Sequence, residues 1–262
     1  MGPCVWPDVR GASSSMPSIP ERTPADFAEI LCGPELPLIV GGQAVNLWAE
    51  LYSPELAGLD HYRPFVSKDA DIYGTRALAQ ILAQRAGWQC HFDEKRSSIV
   101  VAILTKPWTP QGASLTIEVL GEVNGLVEAD LAASTVVELG GTDRYRIPPP
   151  TVLLKAKLYN LASLFWSERP QDLKHTRMLC EMVPHYLNEL HAECRAGKVA
   201  ESTYIAAVNY TAGVVTAGYA GNASRSYGLD LRRVFPTNLW LNGPESLQPI
   251  LALLHAANLG PV

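Results

Sequence analysis

The chain has 262 residues, of which 47% are hydrophobic and 18% are charged, and its formal net charge is -5. This composition is typical of a globular protein with a sizeable core and excludes a disordered chain. The acidic balance argues against non-specific nucleic-acid binding over the whole surface, although it allows a local basic patch.

The cysteines and the ends of the chain indicate the cellular setting. Five scattered cysteines without CxxC spacing favour reduced thiols over a disulfide framework or a zinc site. Residues 1–20, with Pro, Gly and a serine run, predict a flexible leader in which Met16 is an alternative start. The apolar stretch from Tyr204 to Ala220 is interrupted by polar residues and is short for a bilayer span. We therefore expect a cytoplasmic protein with no membrane partner.

The first elements predicted are a capped helix in "TPADFAEILCG" and a buried strand, Leu38-Ile39-Val40. Gly41-Gly42 then predicts a turn, and a helix is expected from Gln43 onward. A strand, a glycine pair and a helix can form a phosphate cradle, because glycine lets backbone amides approach an anion at the positive end of the helix. The same pattern also occurs where a strand simply connects to a helix.

The next strand, in "SKDADIY", carries two aspartates. Side chains alternate along a strand, so Asp69 and Asp71 share one face while Ala70 and Ile72 face the other. The pair either lies in solvent at the strand end or supplies hard oxygen ligands for Mg²⁺.

Further elements of the first half alternate between helix and strand. An amphipathic helix is predicted in "TRALAQILAQRAGW", with Leu78, Ile81 and Leu82 facing inward. Strands are predicted in "WQCHFDE", "SSIVVAILT" and "SLTIEVLGEV". In the last of these, Glu118 lies among apolar neighbours, where a carboxylate without a partner is costly.

From Pro148 onward the pattern is mostly helical, and a domain boundary is predicted near Pro150. The expected organisation is a leader over residues 1–20, an α/β domain over 21–149 and a helical domain over 150–262. The run "YIAAVNYTAGVVTAGYAG" predicts either a packed core helix or an exposed partner surface. Burial is favoured because a chain of this size must bury its helices.

Together these motifs resemble a known superfamily. The strand followed by Gly41-Gly42, the Asp69-x-Asp71 pair and the later Glu118, joined to "LLKAKLYNLA" and "RPQDLKH", resemble the nucleotidyltransferase superfamily that includes DNA polymerase β. "VGGQAVNLWAE" with "SKDADI" is similar to bacterial nucleotidyltransferase-like proteins and the AbiEii toxin group. The resemblance covers about residues 36–175. It implies an α/β (α+β) fold, with a polymerase β-like domain built on a mixed sheet and a mostly helical C-terminal region.

The resemblance also implies a metal site. Asp69, Asp71 and Glu118 would be the catalytic carboxylates and would bind two divalent ions, Mg²⁺ or in its place Mn²⁺. Asp is commoner than Glu at the third position, and Glu122 and Asp93 are alternatives to Glu118.

A nucleotide-binding set follows from the same resemblance. Gln43 stands where the family usually has Ser or Thr, so a hydroxyl contact to phosphate would be replaced or lost. The expected nucleotide-binding residues are Gly41, Gly42, Gln43, Lys68, Lys155 and Asp172. Each has a plainer interpretation: the three charged residues can be solvated or cap a helix. Lys157 is expected to be solvated, and His175 to be a surface or capping residue.

The function implied is a Mg²⁺-dependent nucleotidyltransferase that moves an NMP from a nucleoside triphosphate to an acceptor hydroxyl. The acceptor can be tRNA, a protein or a small molecule, and the toxin-like resemblance implies an antitoxin partner. A locally basic stretch that includes Lys155 and Lys174 would suit an RNA acceptor or simply form a solvated face. The alternative is a catalytically inactive nucleotide-binding or protein-interaction protein of the same fold, because Gln43 and Glu118 depart from the family pattern.

Overall fold

The computed structural model describes residues 21–92, 99–108, 113–163, 170–242 and 244–260. Within these ranges a seven-stranded mixed sheet is followed by a mostly helical C-terminal region, which confirms the α/β (α+β) class. The predicted leader, residues 1–20, lies outside the described residues.

The sheet has the order β3-β4-β5-β2-β1-β7-β6. Strand β1 pairs antiparallel with β2 and parallel with β7, and β2 pairs parallel with β5. The remaining pairs, β3 with β4, β4 with β5 and β6 with β7, are antiparallel. The strands are β1 Leu38–Val40, β2 Ala70–Tyr73, β3 Gln89–Phe92, β4 Val100–Trp108, β5 Ala113–Leu120, β6 Thr135–Leu139 and β7 Asp143–Ile147.

Helices cover the sheet and make up most of the second half of the chain. The α-helices are α1 Ala28–Leu31, α2 Gly41–Tyr52, α3 Arg76–Ala86, α4 Glu128–Ala132, α5 Pro150–Ser163, α6 Pro170–Arg195, α7 Glu201–Thr216, α8 Gly218–Tyr227, α9 Thr237–Asn242 and α10 Gln248–Ala256. Short 3₁₀ helices lie at Pro24–Phe27, Ala57–Tyr62, Leu231–Val234 and Glu245–Leu247.

The central strands follow the sequence patterns that predicted them. All three residues of β1 are buried, and in β2 the inward residues Ala70 and Ile72 are fully buried. The apolar residues Ile117 and Val119 of β5 alternate with partly exposed neighbours, as period-2 side-chain alternation requires.

Two local predictions were wrong, and one hairpin was missed. Helix α2 begins at Gly41 rather than Gln43, so the glycine pair belongs to its first turn. In α3 the inward residues are Ala79, Leu82 and Ala83, while Ile81 is 51% exposed, because that helix packs through a narrower stripe than its apolar residues suggested. The hairpin of β6 and β7 was not predicted.

The long helix α6 packs against α2 and α5, and buried residues from both halves of the chain form one hydrophobic cluster. The predicted joint near Pro150 coincides with the start of α5. The predicted core run is divided between α7 and α8, and one side of α7 packs into this cluster through Tyr204, Val208 and Ala212. Within the described ranges, no helix combines the length and the apolar character needed to cross a bilayer.

Candidate functional site

The junction between β1 and α2 lies directly beside the second aspartate. Val40, the last residue of β1, pairs with Asp71 on β2. Gly41 has a φ of 65°, a left-handed conformation that favours glycine. A Cβ at Gly41 would collide with the Asp71 carboxylate. The missing side chain therefore lets Asp71 lie against the backbone at the start of α2.

Two of the three predicted carboxylates lie on neighbouring strands, and the third lies just before one of these strands. Asp71 and Glu118 are directly paired across the parallel strands β2 and β5, so their side chains leave the same face of the sheet. Asp69 lies in the bend immediately before β2, close enough to raise the pKa values of both other acids. The structure thus brings together Asp69, Asp71 and Glu118.

Burial raises the pKa values of all three acids, and repulsion from neighbouring carboxylates adds to the rise for Asp71 and Glu118. Burial and then repulsion from Asp69 raise the pKa of Asp71 to about 7, with Glu118 adding to the rise and Lys157 opposing it. Burial also raises the pKa of Asp69, against the opposing charges of Lys68 and Lys157. Burial and repulsion from Asp69 likewise raise the pKa of Glu118. A cation among these groups would relieve the repulsion.

The three carboxylates are the right kind of ligand for divalent ions, but their side chains do not converge on one point. Carboxylate oxygens are the hard ligands that Mg²⁺ and Mn²⁺ take, and the repulsion among these acids is what a bound ion would offset. Yet among the residues that the structure describes, no three carboxylate, histidine or cysteine side chains converge closely enough to hold one ion. A metal held by Asp69, Asp71 and Glu118 together requires their side chains to turn toward one another.

A cavity of about 580 Å³ opens beside Asp69 and Asp71. One wall is the first turn of α2 at Gly42, and another is the segment from Val66 to Asp69. The third wall comes from α5 and the first two turns of α6. The sequence-predicted residues Gly42, Lys68, Asp69, Asp71 and Asp172 line it. Glu118 lies on the next strand, outside this lining.

A buried ion pair closes the helical side of the cavity. The Nζ of Lys157 on α5 donates to Oδ1 of Asp172 on α6 at 2.7 Å, and both residues are buried. Lys157 was expected to be solvated, and that prediction was wrong. It lies instead in the cavity wall, within electrostatic reach of both aspartates of β2.

Two predicted nucleotide-binding side chains point elsewhere. Lys155 donates from Nζ to Oδ2 of Asp130 at 2.7 Å and lies over the ring of Tyr210, and it is not among the described residues that line the cavity. Gln43 is fully buried, and its Nε2 donates to the carbonyl of Arg22 at 3.1 Å. Lys155 and Lys157 are two residues apart and therefore face different sides of α5. For this reason Lys157 lies in the cavity wall and Lys155 does not.

Helix α6 is tied to the segment before β2 and contributes His175. Nε2 of Gln171 donates to the carbonyl of Val66 and to Oγ of Ser67, both at 3.0 Å. His175 is fully buried and lines the cavity, so the expectation of a surface or capping histidine was wrong. A Cβ at Gly42 would come within 2.6 Å of the Ser67 Oγ and 2.9 Å of the His175 Cε1.

One of the two alternative third carboxylates, Glu122, lies away from this site. It is exposed and lines a separate cavity of about 350 Å³ beyond the end of β5. Asp93 lies outside the described residues. Of Glu118 and Glu122, Glu118 is the acid that the fold places beside Asp71.

Sequence reasoning did not assign Lys157 of α5, or Gln171, Lys174 and His175 of α6, to the cavity wall. Lys174 donates from Nζ to the carbonyl of Pro64 at 2.9 Å. Gln171, Lys174 and His175 recur at helical spacing on one face of α6, and that spacing, beside the predicted Asp172, is the signal that could have marked them.

No family model matches the chain, and no curated protein is similar to it in sequence.

Proposed function

We propose that this protein is a divalent-metal-dependent nucleotidyltransferase that transfers an NMP from a nucleoside triphosphate to an acceptor hydroxyl. The observation that carries the proposal is the pairing of Asp71 with Glu118 across β2 and β5, beside Asp69 and against the Gly41 backbone. Asp71, which lines the cavity beside the start of a helix, and Glu118, next to it on β5, both have raised pKa values and suit a phosphate-bound cation.

Residues of the cavity wall would bind the nucleoside triphosphate. The first amides of α2 would approach the phosphates at Gly41 and Gly42, and Lys68 at the rim adds positive charge. Asp69, Asp71 and Glu118 would hold the divalent ions. When bound, such ions neutralise the phosphates and polarise the attacking oxygen.

The reaction forms a bond between the acceptor oxygen and the α-phosphorus. The bond from that phosphorus to the oxygen bridging the β-phosphorus breaks, and pyrophosphate leaves. Glu118, which is paired with Asp71 across β2 and β5, would accept the proton of the acceptor hydroxyl. Catalysis otherwise comes from positioning and charge stabilisation.

The acceptor class stays open among tRNA, protein and small molecules. Three lysines of the basic stretch offer little to an RNA acceptor, because Lys155 and Lys157 are paired with aspartates and Lys174 donates to a backbone carbonyl. Arg169, part of the same stretch, lies outside the described residues. An antitoxin partner and a cytoplasmic location remain predictions.

A second function, nucleotide binding without turnover, is favoured by the position of Lys157. Its charge opposes the rise in pKa of both Asp69 and Asp71, so a built-in cation does part of what a metal would do. Gln43, with its side chain bonded to the Arg22 carbonyl, offers no hydroxyl to a phosphate. Binding could persist in such a site where catalysis does not.

Calorimetry with each of the four common NTPs and Mg²⁺ tests the proposal. The wild type is compared with an Asp69→Asn, Asp71→Asn double variant. A Glu193→Gln, Glu201→Gln double variant removes two exposed carboxylates outside the cavity and serves as the matched control. We expect metal-dependent binding that the control keeps and the site variant loses.

Pyrophosphate release then separates the two functions. Release that depends on Glu118, measured with a Glu118→Gln variant and a mixture of RNA, protein and small-molecule hydroxyls, supports transfer. If the protein binds an NTP but releases no pyrophosphate with any class of acceptor, the non-catalytic alternative is supported. If the wild type binds none of the NTPs, both proposed functions are contradicted.

A further inference from the structure

His175 is a buried polar side chain that the proposed chemistry has not yet used. It lies on α6 with no exposed surface and lines the cavity. Neither ring nitrogen has a hydrogen-bond partner among the residues that the structure describes. Leaving both nitrogens unpaired is costly, so the site gains when a polar ligand atom fills the cavity.

The imidazole stands at the start of α2. Its Cε1 lies so near Gly42 that a Cβ there would come within 2.9 Å. Helix α2 has 12 residues, and among the described residues it has no side-chain cap and no acid in its first turn. Its first amides have no intrahelical acceptor, and Gly42, which lines the cavity, brings this positive end of the helix beside the histidine ring.

The surroundings keep the ring neutral. Burial first, and then the nearby charge of Lys157, lower the pKa of His175 well below its ordinary range, although Asp172 opposes this. A neutral imidazole has one N–H donor and one acceptor nitrogen. It can therefore hydrogen-bond a phosphate oxygen without adding a charge.

We propose that His175 donates a hydrogen bond to a terminal phosphate oxygen of the nucleoside triphosphate, beside the first amides of α2. The inference rests on the proposed function and deepens it, because it assigns the triphosphate end of the ligand to the wall formed by Gly42 and His175. Because the His175 ring lies beside the start of α2, it would lie next to phosphates bound there.

Binding affinities for a nucleotide series test this assignment. The NTP that binds the wild type most tightly with Mg²⁺ is compared with its own diphosphate and monophosphate by calorimetry. A His175→Phe variant keeps the ring shape and removes both nitrogens. His191→Phe is the matched control, because His191 stacks on Tyr204 farther along the same helix.

We expect His175→Phe to weaken triphosphate binding about tenfold and to leave monophosphate binding unchanged. His191→Phe should change neither affinity. Equal triphosphate affinity for His175→Phe and the wild type overturns this inference while the proposed function stands. An equal loss for triphosphate and monophosphate also overturns it, because the contact then lies outside the terminal phosphates.

A spectroscopic measurement keeps the inference testable if His175→Phe fails to fold. Ring ¹⁵N shifts of histidine-labelled wild-type protein are recorded with added NTP and Mg²⁺, and His191→Phe assists assignment. We expect the triphosphate to shift the His175 resonances and the monophosphate to leave them in place. Unmoved His175 resonances under saturating NTP contradict the assignment, whereas absence of NTP binding by the wild type contradicts the proposed function itself.

Discussion

Lys157 and Asp172 form an ion pair 2.7 Å long whose members are both buried, and it joins α5 to α6 behind the cavity. Removing one partner of such a pair leaves an uncompensated buried charge. We expect Lys157→Met and Asp172→Asn each to lower the free energy of unfolding by about 3 kcal/mol. The double variant should cost less than the sum, as measured by urea unfolding.

The exposed pair between Asp60 and Arg63 serves as the comparison. Asp60→Asn should change the free energy of unfolding by less than about 0.5 kcal/mol, because solvent screens that pair. Strictly additive losses at Lys157 and Asp172 would show that the buried pair contributes no coupling.

Asp71 makes the protein less stable than it would be with a neutral side chain. Its pKa in the folded protein, about 7, exceeds the value near 4 of an unfolded chain. The folded state therefore binds more protons between about pH 4 and pH 7, and stability falls as the pH rises through that range. We expect Asp71→Asn to raise the free energy of unfolding by about 1–2 kcal/mol at pH 8 without metal.

Metal and pH provide the controls for that variant. Below about pH 4 the difference between Asp71→Asn and the wild type should vanish, because both are then neutral at this position. Mg²⁺ should raise the melting temperature of the wild type and leave that of the variant unchanged. An equal Mg²⁺ effect on both proteins would place the ion elsewhere.

Asp130 has the opposite pH behaviour. Although burial opposes it, hydrogen bonds from Lys155, the Val127 backbone and Tyr210 lower the pKa of Asp130. Its stabilising contribution is present above about pH 4 and is lost as the pH falls through the lowered value.

We expect Asp130→Asn to cost about 2 kcal/mol of unfolding free energy at pH 7, and the gap to the wild type to narrow as the solution becomes acidic. Urea unfolding of both proteins at a series of pH values measures this difference in unfolding free energy. A gap that stays constant with pH would mean that the charge of Asp130 contributes nothing.

Gly41 provides a separate test of the carboxylate geometry. Gly41→Ala strains a backbone with a φ of 65° and forces the Asp71 carboxylate aside. Gly228 has a φ of 62°, and in the described structure a Cβ there would meet nothing within 4 Å. Gly228→Ala therefore reproduces the backbone strain alone.

Gly228→Ala should lose about 1 kcal/mol of unfolding free energy, and Gly41→Ala should lose more because its Cβ also meets Asp71; only Gly41→Ala should weaken NTP binding, at least tenfold. Calorimetry on the two proteins measures it. Equal NTP affinities would show that the contact between Gly41 and Asp71 does not support the site.

The sequence predicted the elements whose patterns are local. Leu38–Val40 is a short apolar run, and Leu115, Ile117 and Val119 alternate, so both strands could be recognised before the structure was known. The neighbouring positions of Asp71 and Glu118 were expected from resemblance. Their shared register depends on the parallel pairing of β2 with β5, which no local pattern specifies.

The missed features depend on contacts between distant segments. The polar residues of β6 and β7 mask the alternation of that hairpin, whose pairing with β1 comes from tertiary structure. Lys155 and Lys157 look alike in sequence, and only their partners, Asp130 and Asp172, separate their roles. His175 is buried because α6 closes over Gly42, a contact between the two halves of the chain.

The walls of the cavity come from the start of α2, the segment before β2, α5 and the start of α6. A growing polypeptide that has emerged only as far as β5 already contains all three carboxylates, yet it lacks Lys157, Asp172 and His175. Since contacts between distant segments form only after long loops have closed, the binding site cannot be completed until α5 and the start of α6 have emerged, well after the three carboxylates. Affinity for the ligand therefore depends on the helical half of the chain as well as on the sheet.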